Sequence, residues 1–262
     1  MTPLLSRIAV VAAGLPIVIG AAVVGGWFLF GVVAVAGLVG LHEFYCLARD
    51  LRPLVLAGYG GALGAYLGAE LGDAAWMLAG FLVVFPLAFM LAAVSAVRQS
   101  TTVAISSTVM GAAWVGFGLA HLILLHQLTD GKDAILAVLF TVFTTDTLAY
   151  VGGRLAGRHR MSPVMSPGKT WEGFVVGALA GVATSFIVLY ETDYTGWESV
   201  IFGVFVVLAA TIGDLFESLV KRDLGAKDTG RVLLGHGGVL DRIDSLLFAA
   251  PVGYYALLAL AH

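Results

Sequence analysis

Four aspartates in an otherwise apolar chain are spaced to act together. Asp214 opens the run DLFESLVKR, in which Asp214, Glu217, Ser218 and Lys221 follow i, i+3, i+4, i+7 and share one helix face. Asp241 and Asp244, in GHGGVLDRID, are again three apart, and Asp146 stands in TVFTTDTLAY. Carboxylates gathered at one depth suit a divalent cation such as Mg2+, which takes hard oxygen ligands and keeps positions open for phosphate oxygens. The same residues also admit a structural reading, in which Arg242 or Lys221 neutralises the aspartates in interhelical ion pairs.

The flanking segments have the composition of a phosphate site. Lys221, Arg222, Lys227 and Arg231 bring positive charge beside Asp228, and His236-Gly237-Gly238 offers backbone that a ligand can approach closely. In SPGKTWEG, residues 166–173, Pro167-Gly168 predicts a turn. Lys169 and Thr170 then lead into a helix whose N-terminus favours anions, with Ser166 beside them. Taken singly, a Ser-Pro-Gly cap and a His-Gly-Gly loop are ordinary. Together they describe metal and polyphosphate at a membrane surface, which is nucleotide chemistry on a lipid.

The elements that must position these groups are membrane spans. The 262 residues are 60% hydrophobic and 12% charged, with a mean hydropathy of +0.97, whereas a soluble domain is about a quarter charged. The 34 glycines suit helices packed closely in lipid. A net charge of −3 gives no reason to expect a nucleic-acid partner, and the single cysteine, Cys46, excludes an intrachain disulfide. Cys46 lies in an apolar stretch and reads as an inert packed thiol.

A bilayer core of ~30 Å needs about 20 apolar residues as helix. Segments meeting that need, more or less, run over 8–24, 26–48, 54–70, 74–97, 102–128, 133–153, 172–190, 199–221 and 243–261. The expected fold is thus all-α, a polytopic bundle of about nine transmembrane helices. The break at Gly25-Gly26 and the short, glycine-rich third segment keep eight spans open. The first apolar run is followed at once by a second, so it reads as a retained anchor rather than a cleaved signal. With no internal repeat, the chain reads as one membrane domain, residues 1–130 supplying N-terminal spans and 131–262 the catalytic spans and loops.

Nine spans sort the basic residues sharply. Arg7, Arg49, Arg52, Arg98, Arg154, Arg158, Arg160, Lys169, Lys221, Arg222, Lys227, Arg231 and Arg242 fall on one side, and only Lys132 on the other. The basic side is expected to be cytoplasmic, with the N-terminus inside. On this topology Asp214 lies ~24 Å along span eight from Glu198, still within the core but towards its cytoplasmic edge, and Asp146 is ~18 Å from the far side. Asp241 and Asp244 begin span nine from the cytoplasm.

The run from Ser218 to Asp244, SLVKRDLGAKDTGRVLLGHGGVLDRID, closely resembles the signature of the CDP-diacylglycerol synthases, the phosphatidate cytidylyltransferases. GDLFES before it, and DTLAYVGGR and SPGKTWEG upstream, are similar to further blocks of that family. The likeness is strong from Asp146 to Asp244; the first hundred residues match only as an anonymous set of spans. Leu234 departs from the family's usual proline, glycine or serine, but no charged or chelating position is lost. The resemblance implies that CTP and phosphatidate give CDP-diacylglycerol and pyrophosphate, with Mg2+ and K+ as cations. It implies Asp214, Asp241 and Asp244 as metal ligands, supported by Asp146, with Asp228 as a further acidic contact. Lys221, Arg222, Lys227 and His236 would neutralise CTP phosphates or pyrophosphate. Ser166, Lys169, Arg231, Gly237, Gly238 and Arg242 would contact substrate. It further implies a bacterial inner-membrane protein, its site facing the cytoplasm, and a homodimer.

Two other classes remain. Buried carboxylates in a polytopic protein also mark cation-coupled transporters, though these usually place sites at the midplane between repeats. A CTP-dependent polyprenol kinase or archaeal-lipid cytidylyltransferase would share the lipid-phosphate logic. His42-Glu43 lacks the second histidine of a zinc-protease motif and reads as a span end near the cytoplasmic interface. His121 and His126 read as ordinary polar residues in a bundle. Trp27, Trp76, Trp171 and Trp197, near span ends, suit interfacial anchoring.

Overall fold

In hydrocarbon, backbone groups have no water to bond, so apolar segments satisfy them internally as helix. The computed structural model describes residues 3–94, 100–163, 165–230 and 237–261. Helices α1 (Pro3–Val24) and α2 (Gly26–Leu47) are parted at Gly25 and Gly26, both at positive φ (68° and 51°), where glycine is at ease. A 3-10 turn, Arg49–Leu51, leads to α3 (Val55–Leu71). Asp73 caps α4 (Ala74–Leu82) by accepting the N–H groups of Ala75 and Trp76 at 2.9 and 3.1 Å. The helix breaks at Val83 and resumes as α5 (Val84–Val94), because Pro86 cannot donate to the carbonyl of Leu82. Next come α6 (Thr101–Gly111), a π-helical stretch Ala112–Phe117, α7 (Gly118–His126) and α8 (Gly131–Ala156). The chain then forms a hairpin of β1 (Arg160–Ser162) and β2 (Ser166–Thr170), followed by α9 (Trp171–Val188), α10 (Trp197–Asp223) and α11 (Leu240–Leu260).

The chain is an all-α polytopic membrane protein. Among the described residues, seven helical segments are long and apolar enough to cross a bilayer: Gly26–Leu47, Ala74–Val94, Thr101–His126, Gly131–Ala156, Trp171–Val188, Trp197–Asp223 and Leu240–Leu260. The first and third expected spans are helical too. The apolar part of α1 with described side chains is Gly14–Val24, and α3, at 17 residues, is shorter than a bilayer core needs. Large apolar side chains face outward along these helices, among them Phe89, Leu179 and Ile187. Trp27, Trp76, Trp171 and Trp197 are exposed at the starts of their helices.

One local expectation is corrected. Pro167-Gly168 lies within β2 (Ser166–Thr170) and so forms strand rather than turn. Arg160 pairs with Thr170 and Ser162 with Ser166. The hairpin is favoured because Glu172 accepts the N–H groups of Arg158 (3.1 Å) and His159 (3.2 Å) and meets His159 Nδ1 at 2.6 Å.

The chain divides into two units, Met1–Leu124 with Leu224–Ile243, and Leu125–Asp223 with Asp244–His262. In the first, α3 and α4 approach backbone to backbone: a Cβ on Gly64 would strike Gly80, and one on Gly68 would strike Trp76. Tyr45 of α2 lies against Gly58 and donates to the Thr108 carbonyl at 2.7 Å, while the Thr108 hydroxyl accepts the N–H of Leu54 at 2.7 Å. In the second, Gly173, Gly177 and Gly181 of α9 lie against the backbone or threonine hydroxyls of α8. Ser185 of α9 donates to the Ser199 carbonyl of α10 at 2.6 Å.

Candidate active site

In the second unit, α10 and α11 come together where Gly213 lacks a side chain. A Cβ there would lie 2.8 Å from the Asp244 carbonyl oxygen and 3.2 Å from the Cα of Ser245. Phe216 and Phe248 pack one turn on, ring centres 5.4 Å apart. Asp214, the next residue, is thereby held beside Asp244. From α8, Asp146 accepts a hydrogen bond from Ser245 Oγ at 3.4 Å. Asp146 lies within electrostatic reach of Asp214, Asp244 and Lys169. Asp146 is exposed and the other two aspartates are half-buried, so all three carboxylates can be reached.

Cations are already placed against this cluster. Lys169, at the end of β2, meets Asp214 Oδ2 at 2.5 Å. It is presented there by the hairpin and by Thr170, whose hydroxyl caps α9 by accepting the Gly173 N–H at 3.2 Å. Lys221 is ion-paired with Glu217, which is buried and within hydrogen-bonding reach of Asp244. Ser218 Oγ approaches Asp214 Oδ1 at 3.5 Å. Glu217 stood on the expected face of span eight without an assigned role; the structure makes it the link between Lys221 and Asp244.

The donor set fits an oxygen-seeking cation: Asp146, Asp214 and Asp244 offer carboxylates alone, with no thiol or imidazole. With Glu217, four carboxylates outnumber the two ammonium groups paired with them among the described residues. As they stand, no three His, Cys, Asp or Glu side chains among the described residues form a group that holds a metal. Mg2+ is commonly held by one or two carboxylates, with waters and phosphate oxygens completing its shell.

The remaining described candidates, apart from Ser166, lie in the first unit or on exposed surface. Asp241 accepts the Gly238 N–H at 2.7 Å and the Thr229 N–H at 3.0 Å, and the turn is made by Gly237 at φ 80°. Its bonds to loop backbone tie that segment to the first turn of α11. Leu240 N–H, beside it, donates to Glu43 Oε2 at 2.8 Å. Arg222, Lys227, Asp228 and Arg242 are exposed, and Ser166 is half-buried. Arg231 and His236 lie outside the described residues.

Three minor expectations are revised or met. Glu43 does sit at a span end, but it is buried, 3% exposed. Cys46 is exposed rather than packed, its sulfur 3.4 Å from His42 Nε2, and His42 Nδ1 meets the Tyr59 hydroxyl at 2.7 Å. His121 is a buried bundle residue, its Nδ1 bonded to the Phe117 carbonyl at 2.9 Å.

The sequence profile of the cytidylyltransferase family matches residues 5–260. The chain belongs to that family. It is similar to a phosphatidate cytidylyltransferase of Mycobacterium bovis, 35% identical over 242 residues that cover 86% of this chain and 79% of that protein. The Mycobacterium tuberculosis phosphatidate cytidylyltransferase is equally similar, with 74% of its length covered. A Staphylococcus haemolyticus phosphatidate cytidylyltransferase is 39% identical over 145 residues, 55% of each chain. The family match takes in the first hundred residues, which the signature blocks alone left anonymous.

Proposed function

We propose that this chain is a CTP:phosphatidate cytidylyltransferase that makes CDP-diacylglycerol. The observation that carries the reading is the meeting of Asp214 and Asp244 at Gly213, with Lys169 on Asp214, in a cytidylyltransferase chain 35% identical to phosphatidate cytidylyltransferases.

In the proposed reaction a phosphatidate phosphate oxygen attacks the α-phosphorus of CTP. A bond forms between them, the bond from the α-phosphorus to the bridging oxygen breaks, and pyrophosphate leaves. The attacking oxygen is already anionic, so no general base is required, and His236 is available to a proton only as an auxiliary. Transfers of this kind depend on positioning and charge neutralisation. Lys169 is set at the carboxylate cluster, where moving from Asp214 to a phosphate oxygen would release one carboxylate as it neutralises substrate. Lys221, Arg222, Lys227, Arg231 and Arg242 are the proposed counter-charges for CTP and pyrophosphate, with Ser166, Gly237 and Gly238 as neutral contacts. Mg2+, held by Asp214 and Asp244 with Asp146 beside them, would supply positive charge to phosphate oxygens. K+ as second cation, Asp241 as a further metal ligand, Asp228 as a further acidic contact, and a homodimer rest on the family resemblance.

The reading places the protein in the bacterial inner membrane with nine spans, α1 and α3 included, and the basic loops in the cytoplasm. CTP is cytoplasmic and a phosphatidate headgroup lies at the membrane boundary, so carboxylates at span ends meet both.

The test is the fate of label from CTP. Purified protein in detergent with phosphatidate and Mg2+ should move α-label into lipid and leave γ-label in pyrophosphate. γ-Label in lipid would identify a kinase instead. Neither label in lipid from folded protein would reject both, leaving cation flux without CTP turnover as the transporter's signature.

A further inference from the structure

The first unit holds a buried carboxylate that the reaction scheme does not use. Glu43, near the end of α2, is 3% exposed, and such a group is retained only where its oxygens do work. Its Oε2 accepts the N–H of Leu240, 197 residues away in sequence, at 2.8 Å. Its Oε1 has no hydrogen-bond partner among the described residues.

Around the carboxylate stand two short stretches that flank the signature loop. A Cβ on Gly230 would lie 2.6 Å from Glu43 Oε1, and one on Gly238 would strike both Glu43 Oε2 and the Thr229 hydroxyl. Thr229 is itself buried, and its hydroxyl too lacks a partner among the described residues. Asp241 ties the same stretches through the N–H groups of Thr229 and Gly238. Both glycines thus lie in close approach to one side chain, and α11 starts on that side chain through Leu240.

We propose that Glu43 is a positioning residue for cytidylyl transfer: its carboxylate clasps Thr229-Gly230 and Gly238-Leu240 together, fixing the start of α11 and with it Asp241. The proposal rests on the cytidylyltransferase reading for its activity test, and on the bond to Leu240 for a second test that needs no activity. The clasp depends on reach and on an acceptor oxygen rather than on charge. Glutamine keeps both. Aspartate keeps the charge but is one methylene shorter, so it withdraws from Leu240.

The experiment compares full-length E43Q and E43D with wild type in detergent. E43Q should keep activity within about threefold, whereas E43D should lose about tenfold or more in kcat, with KM for phosphatidate little changed. Amide exchange at Leu240, Thr229 and Gly238 should be slow in wild type and E43Q and faster in E43D. An active E43D with an inactive E43Q would overturn the proposal, because charge and not reach would then matter. Leu240 exchange unaltered in E43D would overturn it as well. If wild type makes no labelled lipid, the cytidylyl-transfer reading fails on its own, and the exchange measurements still decide whether Glu43 forms the clasp.

Discussion

Lys169 and Asp214 are bonded to each other across two segments that both carry proposed site residues. On the proposed reading, a cation resting on a metal-ligand carboxylate would be a stored counter-charge, and removing it would affect substrate rather than fold. Lys169→Met should lower kcat/KM by about a hundredfold, the scale expected when one preorganised charge is lost from a phosphoryl site, with the melting temperature close to wild type. Wild-type turnover by this variant would remove Lys169 from the site. The carboxylate-only donor set makes a second prediction. Chelation with EDTA should abolish label transfer and added Mg2+ should restore it, whereas full activity in EDTA would refute the metal reading. At this scale, much was legible. An acid inside a span is costly enough that Asp146, Asp214 and Asp244 announce themselves. Glu217 did not stand out, because a Glu-Lys pair four apart is also a routine helix-surface contact. Glu43 did not because its partner is 197 residues away, and no local pattern encodes such a contact.

The elements matter through how closely they approach. Gly213 brings α10 onto α11, and Gly177 brings α9 onto the Thr145 carbonyl and Ala149 of α8, where a Cβ would lie 2.5 and 2.8 Å from its neighbours. Gly213→Leu and Gly177→Leu should each destabilise the protein by about 1–3 kcal/mol through overpacking, seen as a lower melting temperature in detergent, and Gly213→Leu should also part Asp214 from Asp244 and abolish transfer. Gly31→Ala, where a Cβ meets nothing within 4 Å, is the control and should be neutral. A Gly213→Leu variant as stable and active as the control would break the link between this helix crossing and the site. Apolar run length was enough to find these helices, since hydrocarbon leaves the backbone few choices. The β1–β2 hairpin escaped notice because Ser-Pro-Gly carries a strong turn signal. The pairing that overrides it depends on Glu172 bonding the backbone of Arg158 and His159, fourteen and thirteen residues back.

For the whole molecule, the asymmetry of charge is the deciding feature. Thirteen of the fourteen Lys and Arg residues fall on one side of a nine-span topology, and the proposed chemistry needs that side to meet cytoplasmic CTP. With Cys46→Ser as background, Lys132→Cys should react with an impermeant maleimide from outside intact spheroplasts, and Lys227→Cys only after permeabilisation. The reverse pattern would invert the proposed orientation. Orientation is a property of loop charge and membrane, so the expectation for it rests on Lys and Arg positions and not on side-chain contacts.

The measurement that bears most directly on the central claim is transfer of α-label from CTP to phosphatidate by purified wild type, Asp214→Asn and Asp244→Asn side by side. The account predicts labelled CDP-diacylglycerol from wild type, and a loss of about a hundredfold or more in each variant at unchanged melting temperature. Wild-type rates from both variants would contradict the site, and folded wild-type protein that labels no lipid would contradict the function.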